Sequence, residues 1–343
     1  MKKKFFLFIL ILQSVLLENF IFAQNKALFC FYNVENLYDT LDDPKFNDNE
    51  FLPTSKKLWN TEKYNKKIEN ISFVIKDIGE KKINGLPDIV GLCEVENEMV
   101  LKDLANNPYI KNANYKSIIF DSKYERGVDV ALMYKPKAFK VLNTKVYELK
   151  FPFDSTKFTR DILLVTGILY TDTINIIVNH WPSRRGGLKE TEPYRLHAAK
   201  VCRKIVDSIL SLDSLALIVI IGDFNDDPNN KSIKKVLKAT GKKELASKTK
   251  LYNATYFLFR KGIGSLAYQD KWNMFDQVIV SYGLLKNSHK KLRFLKAGIF
   301  NAEYLQIQDG KFKGYPFRTY VGNFYQGGFS DHFPSYCIIE IIK

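Results

Sequence analysis

Apolar runs of strand length recur along the chain at 27–34, 88–93, 128–134, 162–170, 174–179, 216–222, 276–281 and 335–342. Between them, Tyr64, Ile68, Ile71, Ile75 and Ile78 repeat at the three- and four-residue steps of one helix face. Leu196, Ala199, Cys202, Val206 and Ile209 do the same, and Ile233, Val236 and Leu237 mark a short third helix. Runs such as Leu217–Ile221 are apolar at every position, which predicts strands covered on both faces. Others, such as 162–170 followed by 174–179, have no room for a helix between them, so hairpins are mixed in. The pattern is that of a mixed α/β protein with more strands than helices.

The first segment stands apart from this alternation. Lys2, Lys3 and Lys4 precede the apolar run Phe5–Leu17, and the small residue Ala23 follows before Gln24. That order reads as a secretory signal peptide over residues 1–23, and the run is too short to span a bilayer comfortably. The expectation is an exported protein, periplasmic or secreted, with no stable membrane insertion once the leader is removed.

The remaining chain shows no linker-like stretch, low-complexity tract or repeat. A length of 343 residues would ordinarily suggest two domains. Polar residues of catalytic type stand near both ends, at 33 and at 331, so a single domain over residues 24–343 is expected instead. Residues 40–60 and 241–273 read as long surface loops. Cys30, Cys93 and Cys337 lie in strand-like runs and Cys202 in a helical one, which marks them as buried small hydrophobes. With 52 Lys+Arg against 37 Asp+Glu the net charge is +15, and losing residues 1–23 lowers it only to +13. The folded body is therefore basic, and a polyanion is a natural partner.

Candidate chemistry gathers at strand ends. The run from Leu217 closes in Gly222-Asp223-Phe224-Asn225, where alternation aims Asp223 and Asn225 the same way. The run from Ile174 closes in Asn179-His180, followed by Trp181, Pro182, Ser183 and the Arg184-Arg185-Gly186-Gly187 turn. Arginine forks and loop N–H groups suit phosphate oxygens. Ser330-Asp331-His332 precedes the last strand, placing a carboxylate beside a titratable imidazole. Glu94 closes the run Ile89–Cys93, where a carboxylate is a natural Mg²⁺ ligand, whereas Glu96 and Glu98 read as solvated or helix-starting acids. Asn33, Asp161 and Asp276 complete the polar set flanking strands.

Together and in this order, Asn33, Glu94, Asn179-His180, Gly222-Asp223-Phe224-Asn225 and Ser330-Asp331-His332 resemble the endonuclease/exonuclease/phosphatase superfamily. That superfamily includes pancreatic-type deoxyribonucleases, abasic-site endonucleases, inositol polyphosphate phosphatases and neutral sphingomyelinases. The resemblance spans about residues 27–340. It implies a four-layer α/β/β/α sandwich of two mixed sheets with the site at one edge. It implies Mg²⁺ (or Mn²⁺) held by Glu94 with Asn33 and Asp331, and Asp223 activating the attacking water. Asn225 would hold the scissile phosphate. His180 and His332 would be the catalytic histidines, paired with Asp161 and Asp276 respectively and kept protonated by those carboxylates.

The expected reaction is hydrolysis of nucleic-acid phosphodiester bonds by a monomeric enzyme, DNA ahead of RNA, with Arg184 and Arg185 on the substrate backbone. Two alternatives stand beside it: a phosphatase or sphingomyelinase-like phospholipid phosphodiesterase, for which Tyr252, Tyr256, Phe257, Leu258 and Phe259 offer an apolar loop, and a non-catalytic polyanion-binding module.

Overall fold

In the computed structural model, which describes residues 25–286 and 289–342, the apolar runs pair into two large sheets. The expected leader, residues 1–23, lies outside the described residues. Chain order begins β1 (Lys26–Leu37), α1 (Thr61–Ile83), β2 (Ile89–Val95), α2 (Glu98–Asn106), β3 (Lys116–Ile119) and β4 (Asp129–Tyr134). It continues through β5 (Phe139–Tyr147), β6 (Ile162–Leu169), β7 (Asp172–His180), α3 (Leu188–Leu212) and β8 (Leu217–Asp223). Then come β9 (Ala239–Thr240), β10 (Leu251–Asn253), α4 (Tyr256–Arg260), β11 (Leu266–Tyr268), β12 (Lys271–Asn273) and β13 (Asp276–Val280). The chain closes with β14 (Leu292–Ile299), β15 (Tyr320–Val321), β16 (Phe324–Tyr325) and β17 (Ser335–Ile341).

One sheet has the order β14-β17-β1-β2-β4-β3, the other β5-β6-β7-β8-β13-β10-β9. In each, a parallel pair (β1 with β2, β7 with β8) sits among antiparallel neighbours. The first strand and the last one pair with each other, Phe29 opposite Cys337. Residues 241–273, expected as loop, instead supply β10 to the second sheet and the β11–β12 hairpin. Those strands are three residues long, too short to carry an alternation pattern.

Alternation along the strands sorts side chains into three apolar layers. In β1, Leu28, Cys30, Tyr32 and Val34 face the layer beneath α1 and α2, while Ala27, Phe29 and Phe31 face the other sheet. In β8, Leu217, Val219 and Ile221 join that middle layer, and Ile218 and Ile220 pack under Ala199, Cys202 and Val206 of α3. The architecture is therefore helices, sheet, sheet, helix, and the strands are apolar throughout because both faces are covered. Gly91 faces the other sheet: a Cβ there would lie 2.6 Å from Ile221 Cδ1. All four cysteines are buried and free, one or two in each layer.

Helix ends follow local chemistry. The Asn60 side chain accepts from Lys63 N to cap α1, and Asn84 ends it in the left-handed conformation. Asn97 caps α2 by accepting from Val100 N. Among the described residues no helix is long and apolar enough to cross a membrane.

Candidate active site

The topology carries the chain-distant motifs to one edge. β1, β2, β7 and β8 end there, and β13 and β17, antiparallel to their neighbours, begin there. Within the second sheet, His180, Asp223 and Asp276 are direct neighbours in register across β7, β8 and β13. The β7–β8 approach is close: a Cβ on Gly222 would lie 2.4 Å from the Asn179 carbonyl oxygen, so only glycine fits beside Asn179.

Asp223 is the centre of the cluster. Its Oδ2 accepts from Asn33 Nδ2 at 3.1 Å and lies 3.5 Å from His180 Nε2 and 3.9 Å from His332 Nε2. Its Oδ1 accepts from the Asn225 backbone N–H at 2.9 Å. Burial, with repulsion from Asp276, pushes its pKa up to about 7, against the opposing pull of His332. His332 Nδ1 and Asp276 Oδ2 are 2.6 Å apart. Burial works against a charge on His332, but Asp276 outweighs it, and the imidazole titrates well above its ordinary value.

Glu94 enters from the other sheet. It has φ of 63° at a bulge in β2, where the register against β4 shifts between Cys93 and Val95. Its Oε2 accepts from Asn36 N at 3.0 Å, and its Oε1 lies 3.4 Å from Asn33 Nδ2 and 3.9 Å from His180 Nε2. A matching bulge in β1 puts Glu35 and Asn36 in the left-handed region, with φ of 50° and 59°. The Asn33 side-chain Oδ1 accepts from Glu35 N, and its Nδ2 faces the two carboxylates. Asn33 thus cross-links Glu94 to Asp223.

Asp331 reaches the edge from the segment before β17. Its Oδ2 accepts from Arg318 at 2.8 Å, and its Oδ1 lies 4.0 Å from His332 Nε2. Ser330 Oγ ties that segment to β1 by donating to Asn33 O at 2.6 Å.

Three expectations change. Asp161 and His180 do not pair. Although β6 and β7 run side by side, His180 Nδ1 and Asp161 Oδ1 are both buried without a hydrogen-bond partner. Lacking a carboxylate on Nδ1, His180 is governed by burial, with Arg160 beside it, and titrates well below its ordinary value instead of above it. Arg184 is consumed by the fold. It donates to Asn225 O, Asp226, Asp227 and Asn230, and its guanidinium lies 4.4 Å over the Phe275 ring. Asn225 stays at the same edge, its Nδ2 donating to Trp181 O at 3.0 Å and its backbone N–H to Asp223 Oδ1. Arg185 is exposed, and Glu98 starts α2 as expected, but Glu96 is buried, accepting from Asp39 N.

Three arginines outside the sequence-derived set do stand at the site. Arg160 is buried, donating to Trp181 O at 3.0 Å beside His180. Arg126 donates to Asn36 Oδ1, and Arg318 joins Glu35 to Asp331. Each is a lone arginine in unremarkable local sequence, and the only signal pointing to Arg160 was its place next to Asp161.

The donor set fits a hard divalent cation. Asp223, Asp276 and His332 offer ligand atoms all within 4.8 Å of one another, but there Asp276 already holds His332 through Nδ1. Glu94 and Asp331 keep partly exposed side chains, 16% and 34%, and carboxylate oxygens are the donors Mg²⁺ or Mn²⁺ takes.

The model of the Endonuclease/Exonuclease/phosphatase family matches residues 28–341. No curated protein matches the sequence. Among solved structures, truncated Caenorhabditis elegans TDP2 is similar at 16% identity and TM-score 0.56, covering 92% of this chain and 97% of its own. D. rerio TDP2 complexed with single strand DNA product gives 13% and 0.54, covering 92% and 99%. The human Nocturnin catalytic domain with bound sulfate anion gives 14% and 0.52, covering 93% and 95%.

Proposed function

The chain belongs to the endonuclease/exonuclease/phosphatase family, and from that premise we propose that it is an exported, divalent-metal-dependent nuclease that hydrolyses phosphodiester bonds of DNA. The observation that carries this is the convergence of Asn33, Glu94, His180, Asp223 and His332, from five separate segments, through contacts of 3.1–3.9 Å. Support for a nucleic-acid substrate comes from the net charge of +15 and from the similar D. rerio TDP2, described in complex with single strand DNA product. The leader-like segment supports export. A monomer is the simplest reading.

Each residue then has a physical task. Asp223, its pKa raised by burial, takes the proton of the attacking water, since a base works best with its pKa near the working pH. His332, held charged by Asp276, donates Nε2–H to a phosphate oxygen as negative charge develops. Neutral His180 faces both Asp223 and Glu94 and orients the reacting group. Glu94 and Asp331 would hold the Mg²⁺ or Mn²⁺, which when bound supplies Lewis-acid stabilisation of phosphoryl oxygens. Asn33 keeps the two sheets' carboxylates in fixed relation.

A second reading, a phospholipid phosphodiesterase, is favoured by one feature: the β15–β16 hairpin exposes Val321 (50%) and Phe324 (72%). Of the five apolar residues expected to serve this role, Phe257 alone is exposed. A panel of duplex DNA, single-stranded DNA, RNA, sphingomyelin and inositol phosphates, each with and without chelator, tests both. Chelator-sensitive cleavage of DNA is expected. Cleavage of sphingomyelin alone, with liposome co-sedimentation, would replace the nuclease reading.

A further inference from the structure

Helix α1 carries a polar stripe along one face. Lys63, Lys67, Asn70 and Asp77 recur at steps of four, three and seven residues, and each meets the long segment between β14 and β17. Asp77 Oδ2 accepts from Tyr304 at 2.8 Å, and Lys63 Nζ lies 4.9 Å from the centre of the Tyr325 ring. Lys67 and Asn70 go deeper. They are 1% and 6% exposed, and both reach the backbone of that segment.

Lys67 Nζ donates to Phe329 O at 2.7 Å, and Asn70 Nδ2 donates to Gly327 O and to Gly328 O, each at 3.0 Å. Consecutive carbonyls from 327 to 329 are thus met by two side chains one helical turn apart. Residues 327–329 lie outside helix and strand, so no ladder supplies donors to them, and a buried carbonyl without a donor is costly. The helix provides what the local backbone does not. Immediately afterwards comes Ser330-Asp331-His332, where Ser330 Oγ donates to Asn33 O and His332 N donates to Ser330 Oγ.

Lys67 also anchors an earlier part of the same segment. Its Nζ donates to Thr319 Oγ1 at 2.5 Å and lies 3.9 Å from Glu35 Oε2. Glu35 accepts from Thr319 N at 2.7 Å and from Arg318 Nε at 3.2 Å, and Arg318 donates to Asp331 Oδ2. Asp331 is therefore reached from Lys67 by two routes, through the 327–329 backbone and through Glu35 and Arg318. Burial lowers the Lys67 pKa to about 8, against the pull of Glu35 and Asp331. Such a buried charge is weak evidence of stability, since apolar side chains of similar volume often serve as well. What the amine adds is directed N–H donors.

We propose that Lys67 and Asn70 are positioning residues for the catalytic edge: their donors hold residues 327–329 in the conformation that presents Asp331 and His332 to the cleft. This assignment rests on the phosphodiesterase reading above, and adds to it two residues of a helix that contributes no reacting group. Neither touches the substrate. Their effect passes through Asp331, which would hold the divalent cation, and through His332 Nε2.

The probe is MnCl₂, titrated calorimetrically into the full folded protein. Alongside it, the His332 imidazole is followed by NMR, with H332N identifying its signal, and hydrolysis of bis(4-nitrophenyl) phosphate is measured with Mn²⁺. In K67M and N70L, Mn²⁺ affinity and kcat are each expected to fall about tenfold or more, with the His332 resonance displaced and KM changed less. Folded variants, checked by circular dichroism, that melt lower yet keep the wild-type Mn²⁺ affinity, His332 signal and kcat would overturn the proposal, since the two side chains would then only stabilise. N70L exchanges one neutral side chain for another of similar size and decides the matter if K67M does not fold. The calorimetric and NMR arms need no turnover. A protein in which both respond yet no phosphoester is cleaved would retain the positioning role and lose the nuclease reading.

Discussion

Asp276 Oδ2 holds His332 Nδ1 at 2.6 Å from the first position of β13, fully buried, so the imidazole's outer nitrogen is aimed at the cleft. Replacing the carboxylate by an amide (D276N) removes the charge that keeps His332 protonated. The expected outcome is a loss of about 10²–10⁴ in kcat, with the His332 imidazole titrating lower by NMR. The sign of the stability effect follows. A raised histidine pKa contributes fully below the unfolded value of about 6.5 and is lost as pH rises through the folded value. The stability gap between wild type and D276N therefore narrows in alkaline solution.

Glu94 stands at the open edge with both oxygens facing polar groups. If Glu94 holds the divalent cation, Mg²⁺ or Mn²⁺ at a hundredfold excess over Kd stabilises the wild type by about 2.7 kcal/mol and raises its melting temperature. E94A is expected to show neither this shift nor chelator-sensitive activity. Thermal unfolding with and without metal measures it, and an equal shift in E94A would move the cation elsewhere.

Arg184 ties the turn after β7 to the segment after β8, through Asn225, Asp226, Asp227 and Asn230. R184A should behave as a stability variant, losing about 1–3 kcal/mol in urea unfolding, with KM little changed below the melting transition. A large rise in KM without loss of stability would return Arg184 to the substrate.

Asp161 is a carboxyl held against its preference. Burial, with Glu148 adding repulsion, pushes its pKa up to about 6. A raised carboxylate pKa costs stability above that value and nothing below the ordinary one near 3.9. D161N should therefore melt higher at pH 8, by roughly 2–4 °C, and no higher at pH 4. Because no hydrogen bond joins Asp161 to His180, kcat is expected to stay close to wild type.

The cysteines make a simpler case. Cys30, Cys93, Cys202 and Cys337 are buried and free, with burial pushing the Cys202 thiol up to about 12. A thiol reagent should label none in the native protein and four after denaturation, and a reductant should leave the melting temperature unchanged.

What could be read from sequence follows from burial geometry. Leu217–Ile221 announces a strand covered on both faces because every position is apolar, and its end at Asp223 is visible for the same reason. The β1 bulge leaves no such trace. Glu35 and Asn36 look like ordinary polar residues after a strand, and only the three-dimensional bonds to Arg318 and Arg126 give them a task. The first turns of α3 were hidden because Lys189, Glu190, Glu192 and Pro193 interrupt the apolar spacing that begins at Leu196. Pairing of Asp276 with His332 and failure of Asp161 with His180 could not be told apart from spacing, since both carboxylates lie at strand starts.

The contact of Gly91 with Ile221 has a last implication. The edge cluster takes Glu94 from one sheet and His180 and Asp223 from the other, so the distance between sheets acts as a caliper on catalysis. A methyl at Gly91, far from any reacting atom, would press on Ile221 and Phe31 in the layer that sets that caliper. Turnover would then report on the protein's interior more sensitively than melting does.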